Sequence, residues 1–177
     1  MRPGAPPAST CEGAFIAHKV SSTFPSDGFA QRGIDAIMSY RAEWKPEIYA
    51  RRYLSLHCLG GAIKGDKATR DRSCFPYRDK PFMLQYQAWW TSDTPDKELE
   101  PRCIQWVRDF RKKLDGCAEG AFINFPDMDL VPDPDTPEGR KKLLGYYYGP
   151  NLADLIAVKR KFDPDNIFRF GMSIPTS

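Results

Sequence analysis

Residues 82–90, FMLQYQAWW, follow Pro81 and carry four aromatic side chains. Aromatic side chains suit the pleated, half-buried surface of a sheet, so this run predicts a strand. Alternation along it puts Met83, Gln85 and Gln87 on one face and Phe82, Leu84 and Tyr86 on the other. Downstream the period changes. Leu99, Cys103, Trp106, Val107, Phe110 and Leu114 recur at spacings of three and four, with charges between them and Gly116 behind them. That is one apolar helix stripe with a glycine stop. A strand with an apolar face followed by a helix with an apolar stripe makes a helix layer on a sheet.

Working outward, AFIAHKV at 14–20 predicts a first strand, and Ser26-Asp27 cap a helix near 27–43. That helix would bury Phe29, Ile34, Ile37 and Met38, with Pro46 as its stop. RRYLSLHCL at 51–59, closed by Gly60-Gly61, predicts a second strand, and residues 64–73 a solvated charged loop. AFINF at 121–125 predicts another short strand. Residues 126–135 hold three prolines and four aspartates, which excludes regular structure. Asp135 or Thr136 caps a helix with Pro137 at its start, Gly149-Pro150 breaks it, and a last helix runs from Asn151 to Phe162. The order β-α-β-β-α-β-α-α, with a loop rather than a helix between the second and third strands, predicts an α+β fold. It is a mostly antiparallel sheet with helices packed on one face, in a single domain.

Composition bounds the function. The 177 residues are 41% hydrophobic and 28% charged, a globular balance. Lys plus Arg minus Asp plus Glu is 26 − 23 = +3, too mild a charge to expect nucleic acid or an acidic membrane surface as partner. No apolar run approaches the roughly 18 residues that cross a bilayer. The five cysteines, Cys11, Cys58, Cys74, Cys103 and Cys117, are odd in number and lack CxxC or Cys/His spacing. Free thiols in a reducing compartment, with the cytoplasm favoured and no metal site, is the expectation. Residues 1–11 read as a Pro/Gly-rich flexible lead-in without a secretory h-region, and 12–177 as the domain.

Four stretches in order resemble a known family. They are Leu59-Gly60-Gly61 with Phe75-Pro76-Tyr77-Arg78; FMLQYQAWW; AFINFPDMDL at 121–130; and Tyr147-Tyr148-Gly149-Pro150-Asn151-Leu152 with VKRKFDPDNIF and Met172-Ser173-Ile174-Pro175. Together they resemble the C-terminal, substrate-domain half of berberine-bridge-enzyme-like FAD-linked oxidases. The resemblance implies an antiparallel sheet backed by helices and a small-molecule substrate. It also implies that the FAD-binding domain is a separate half, so the isolated chain is expected to carry no cofactor and to meet FAD only through a partner chain.

The resemblance also points to site residues. Asn124 matches the asparagine of the family's Tyr-x-Asn segment, and an amide offers donors and an acceptor to a ring edge. Phe122 and Phe125 stand where the family has tyrosines; phenylalanine has no proton to exchange, so a phenol base is missing and these rings become substrate walls or core. Gln85 is placed to orient a substrate, with Tyr86 and Trp89 as aromatic lining. Tyr77, in place of the family's histidine before Arg78, is a candidate acid. His57, beside Cys58 and Gly60-Gly61, is the better of the two histidines; His18 reads as ordinary. Tyr148 and Asn151 are flavin-facing in the family, and Asn151 is equally an N-cap.

Three functions follow: the substrate half of a split flavin oxidase; a flavin-free cyclase, isomerase or pericyclic-type catalyst acting on a small apolar or aromatic metabolite; or a non-catalytic small-molecule binding protein or inactive fragment. A homodimer burying the former flavin face is a further expectation.

Overall fold

The computed structural model describes residues 16–43, 48–68, 72–92 and 94–177. The expected lead-in at 1–11, the Pro46 stop and part of the 64–73 loop lie outside the described residues. Among the described residues, the strands and longer helices follow one another as β1 (Ile16–Pro25), α1 (Ala30–Ala42), β2 (Ala50–Cys58), β3 (Phe82–Thr91), α2 (Leu99–Lys113), β4 (Ala118–Glu119), α3 (Pro137–Tyr148) and α4 (Leu152–Phe162). The sheet order is β2-β3-β1-β4 and every pairing is antiparallel. The α+β architecture expected from the sequence is the one observed.

The sheet is organised around β3. Its residues lie opposite β1 (His18↔Trp89, Val20↔Gln87, Ser22↔Gln85) and opposite β2 (Arg51↔Trp89, Tyr53↔Gln87, Ser55↔Gln85, His57↔Met83). Directly opposed residues share a face. Leu84, Tyr86, Ala88 and Trp90 therefore point one way, into a core with Leu99, Cys103, Trp106, Val107 and Phe110 of α2. Phe110 is fully buried among the rings of Tyr40, Tyr86 and Trp106, with centroids 4.8, 5.0 and 6.1 Å away. The Tyr40 hydroxyl donates to the Trp106 carbonyl, which locks α1 onto α2. Met83, Gln85, Gln87 and Trp89 point to the other face, which no described helix covers.

Two bonds at the ends of the β2–β3 ladder set its phase. The Thr91 amide donates to the Tyr49 carbonyl (3.1 Å) and the Leu59 amide to the Pro81 carbonyl (3.0 Å). Odd-numbered residues of β2 thus exchange hydrogen bonds with β3, and even-numbered ones direct their backbone groups away from it.

Three expectations are corrected. AFINF at 121–125 is a turn, not a strand: the Phe122 amide donates to the Ser22 Oγ and the Phe125 amide to the Phe122 carbonyl. The short strand is β4, just before it. The first helix begins at Ala30 with no side-chain cap, because the Phe29 amide closes a turn onto the Ser26 carbonyl. Its buried stripe runs through Phe29, Gly33 and Tyr40, leaving Ile34 and Met38 half exposed. Asn151 makes no cap bond with its side chain, whose Nδ2 instead donates to the Cys74 carbonyl (3.2 Å). The Thr136 cap is as expected, its Oγ1 accepting from the Gly139 amide.

Phe110→Ala should cost about 3–5 kcal/mol of stability, since a ring in a fully buried cluster leaves a cavity. Phe162→Ala, at a 73% exposed position, should stay within about 0.5 kcal/mol. Urea unfolding of the two variants checks both; equal losses would show that α2 is not the centre of the core.

Candidate functional site

The uncovered face of the sheet is polar and aromatic rather than apolar. The His18 ring stacks on Trp89 with centroids 4.5 Å apart and planes 21° apart. Trp89 Nε1 donates to Gln87 Oε1 at 2.9 Å. His57 Nε2 lies 2.8 Å from Gln85 Oε1. An amide oxygen only accepts, so this contact requires the Nε2–H tautomer of His57 and turns the Gln85 NH₂ group toward a ligand. Each amide is thus oriented by a ring on the same face.

A strap made by residues 121–131 roofs this face. On the open side it is anchored by the Phe122 amide on Ser22 Oγ (2.9 Å). The turn that follows presents Asn124, Phe125 and Pro126 over the sheet. The strap then passes round the outer edge of β1 to the helix side. There Lys19 Nζ meets Asp127 Oδ1 at 2.5 Å and Asp129 Oδ2 at 2.8 Å, and Arg108 Nε of α2 meets Asp129 Oδ2 at 2.8 Å. Asp127 is 4% exposed, its amide donates to the Tyr147 hydroxyl (2.8 Å), and its carboxylate also accepts the Asp129 amide (3.0 Å). A buried carboxylate is tolerable only when so satisfied. The Arg108 hydrogen bond, helped by Lys19, holds the Asp129 carboxyl at about 2. Burial works against the Lys19 ammonium, but the two carboxylates outweigh it and its pKa is raised.

Between sheet and strap lies an open cavity of about 400 Å³, lined among others by His18, Gln85, Gln87, Trp89, Asn124 and Phe125. The sequence-derived residues Gln85, Asn124, Trp89 and Phe125 meet here, with His57 alongside through its bond to Gln85. Phe122 packs beside the cavity, its ring 5.6 Å from Phe75 and 5.9 Å from Phe125. Four other candidates stand elsewhere. Tyr86 is corrected: it is fully buried on the helix side of β3, because its even position faces α2. Tyr77 is corrected too: it stacks on Phe24 (4.2 Å) and donates to the Tyr146 carbonyl (2.6 Å), away from the cavity, and burial pushes its phenol up to about 12. Its ring sits against Gly120, whose φ of +64° and lack of a Cβ admit it. Tyr148 and Asn151 lie at the α3–α4 break and do not line the cavity. Tyr148 is half-buried, and burial raises its pKa.

His18 is the residue that sequence reasoning passed over. Its importance comes from standing opposite Trp89 in the β1–β3 register, which no local pattern reveals. Gln87 was visible through alternation.

Chemically, the cavity fits one flat ring, walled by Trp89 and Phe125 and edged by the amides of Gln85, Gln87 and Asn124. A flavin dinucleotide needs, in addition, backbone donors or cations for its pyrophosphate. Lys19, the cation of this lining, is committed to Asp127 and Asp129. The described residues fit the edge of a flavin ring or of a substrate, not the whole dinucleotide. Among them, no group of three or more His, Cys, Asp or Glu is placed to hold a metal ion, and no helix is long and apolar enough to cross a membrane. Among the described residues, Cys58, Cys74, Cys103 and Cys117 form no disulfide.

Fold and site together define a two-layer α+β domain with a ring-sized, hydrogen-bonding cavity on its uncovered sheet face. Comparison with known proteins places it further. Residues 121–175 match the family described as berberine and berberine like. An uncharacterised FAD-linked oxidoreductase of Bacillus subtilis, YgaK, is 30% identical over 89% of this chain and 31% of its own length. The hexose oxidase of Chondrus crispus is 27% identical over 89% of this chain and 31% of its length. The structure of BBE-like #28 from Arabidopsis thaliana superposes with a TM-score of 0.73 at 23% identity, over 90% of this chain and 34% of that one. The chain is related to the berberine-bridge-enzyme-like FAD-linked oxidoreductases and spans about a third of the length of the curated relatives it matches.

The clamp makes a pH prediction. Asp129 has a folded pKa of about 2, below its ordinary 3.8. Its contribution is therefore complete above about pH 4 and is lost as pH falls toward 2. Denaturant unfolding between pH 5 and 2, compared for the native chain and Asp129→Asn, should show a shallower acid loss in the variant. Identical slopes would mean that the clamp carries no stability.

Proposed function

We propose that this chain supplies the substrate-facing part of an FAD-linked oxidoreductase, with FAD held by polypeptide outside the described residues. The observation that carries this reading is the roofed cavity on the uncovered sheet face, with Asn124, Gln85 and Trp89 converging on it. FAD, where it is bound, would accept the electrons removed from the substrate. The residues described here bind and orient. Trp89 and Phe125 wall a ring, Gln85 donates from an amide fixed by His57, Asn124 donates or accepts from the strap, and Gln87 is held in place by Trp89.

The ligand that suits such a lining has a flat apolar face and polar edges: a hexose, as the name of the Chondrus relative suggests, or an aromatic metabolite. Support for a further polypeptide comes from the C-terminal segment, where Phe162, Ile167, Phe168 and Phe170 are 66–79% exposed. Aromatic side chains in such number on one segment are unusual for a surface that meets only water. A second reading, a flavin-free cyclase or isomerase, is supported by phenylalanine at 122 and 125: without a phenol base the cavity can still shape and orient a substrate.

Quenching of tryptophan fluorescence on titration with glucose and with benzyl alcohol tests the cavity. One of the two should quench, Asn124→Ala should weaken it about tenfold, the loss of one hydrogen bond of about 1.4 kcal/mol, and Asp165→Ala should leave it unchanged. No quenching by either probe would remove the ligand-binding assignment. The visible spectrum of the chain purified alone tests the division of labour, because a stoichiometric flavin band would show that these residues hold FAD themselves.

A further inference from the structure

The strap leaves the sheet at a defined point. β4 pairs with β1 through Phe24↔Glu119 and Pro25↔Ala118, and the Ser26 amide donates to the Cys117 carbonyl (3.1 Å). The same register, carried further, would set Ala121 opposite Ser22 and Ile123 opposite Val20. The apolar run AFINF suits that continuation. The segment would then lie in the sheet as a longer β4, with Asn124 beside β1 rather than over the open face. Both backbone groups that the next pair needs are taken by other partners. The Ser22 carbonyl accepts from Arg111 Nη1 at 3.1 Å, and the Ala121 amide donates to the Tyr146 carbonyl of α3 at 2.8 Å. Arg111 Nη1 also donates to the Gly120 carbonyl at 3.1 Å, so one nitrogen with two hydrogens spans the gap between β1 and the strap. The guanidinium lies over the ring of the same Tyr146, 5.5 Å from its centroid. Gly120 turns the chain at a φ of +64°, which glycine adopts without strain. Past this point the Phe122 amide takes the Ser22 hydroxyl and the Phe125 amide closes a turn on the Phe122 carbonyl (2.9 Å each).

We propose that Arg111 is a positioning residue of the cavity. It occupies the place of the next ladder pair between β1 and the strap, ends the β1–β4 ladder at Glu119, and so turns Asn124 and Phe125 over the open face toward Gln85. Arg111 touches no ligand itself; it acts through Ser22, Gly120 and Tyr146. An arginine suits this place better than a lysine. Its planar group stacks on a ring while its hydrogens bridge two carbonyls, and it is less strongly hydrated than an ammonium where it is half-buried. The position on α2 is equally specific. Val107, Phe110 and Leu114 of the same stripe are buried against the sheet, which aims the side chain at 111 toward the outer edge of β1. The role of the cavity as a ligand site rests on the function proposed above; the role of Arg111 in shaping it does not.

Amide exchange in the native chain and in Arg111→Met reads this directly. In the variant the Phe122 and Phe125 amides should exchange about tenfold faster relative to the amides of β3, as local opening of the strap requires. Tyr146→Leu leaves Arg111 and both carbonyls in place. It should shift the same amides in the same direction by less, and it carries the test if Arg111→Met does not fold. Val107→Ala, at a 1% exposed position on the same helix, controls for a merely structural role. It should lower the urea midpoint but keep both the strap-to-β3 exchange ratio and the affinity for whichever of glucose and benzyl alcohol quenches. Arg111→Met should weaken that affinity about tenfold. Strap amides that keep their ratio to β3 in Arg111→Met, or in Tyr146→Leu where the first variant is unfolded, overturn the proposal. So does an equal loss of probe affinity in Arg111→Met and Val107→Ala. Exchange needs no ligand, so a native chain that neither probe quenches removes the ligand-site reading and leaves the strap amides to decide on Arg111.

Discussion

The period-two geometry of β3 is the constraint on which the rest of the molecule depends. Paired on both sides, the strand cannot slip or turn without breaking two ladders. Leu84, Tyr86, Ala88 and Trp90 are thereby committed to the core and Gln85, Gln87 and Trp89 to the open face. A slip of one residue would bury two glutamine amides against α2 and expose a fully buried tyrosine. The core and the candidate site are therefore the two faces of one strand, and neither can be rearranged alone.

The strap is the second organising feature, and its energetics differ. Its hold on the domain is polar: an amide on Ser22, the Lys19–Asp127–Asp129–Arg108 network, and the Tyr147 hydroxyl. Arg111 adds to this from α2, where its Nη1 donates to the carbonyls of Ser22 and Gly120 at 3.1 Å while the guanidinium lies over the Tyr146 ring. Hydrogen-bonded ion pairs contribute little when exposed and define geometry when partly buried. Here they fix where Asn124 stands relative to Gln85, which a purely apolar contact would leave free to slide.

Kinship with FAD-linked oxidoreductases bears on chemistry through what the cavity lacks as much as through what it holds. Phenylalanine at 122 and 125 removes the phenol protons, Tyr77 gives its proton to a backbone carbonyl, and His57 gives its own to Gln85. On the proposed reading this lining would bind and orient a ligand ring, and electron transfer would fall to a flavin held elsewhere.

Much was decided by the order of residues alone. Alternation at 82–90 and the three-four spacing at 99–114 are local patterns imposed by strand and helix geometry, so they located β3, α2 and the face of Gln85 without any coordinates. The Thr136-Pro137 start and the Gly149-Pro150 break are local stereochemistry and were equally legible. The AFINF segment was not: its apolar run reads as a strand, and only the Ser22 hydroxyl, 100 residues away, takes its amide and bends it into a turn. Tyr77 and Asn151 were assigned to chemistry by their motifs, but the tertiary structure gives their polar atoms to the carbonyls of Tyr146 and Cys74. His18 joined the site through strand register, and Lys19, Asp127, Asp129 and Arg108 became one clamp through packing. Local sequence sets which way a side chain points along its own element. Which distant group it meets is decided only when the elements pair, because that choice is made by the whole sheet and its packing at once.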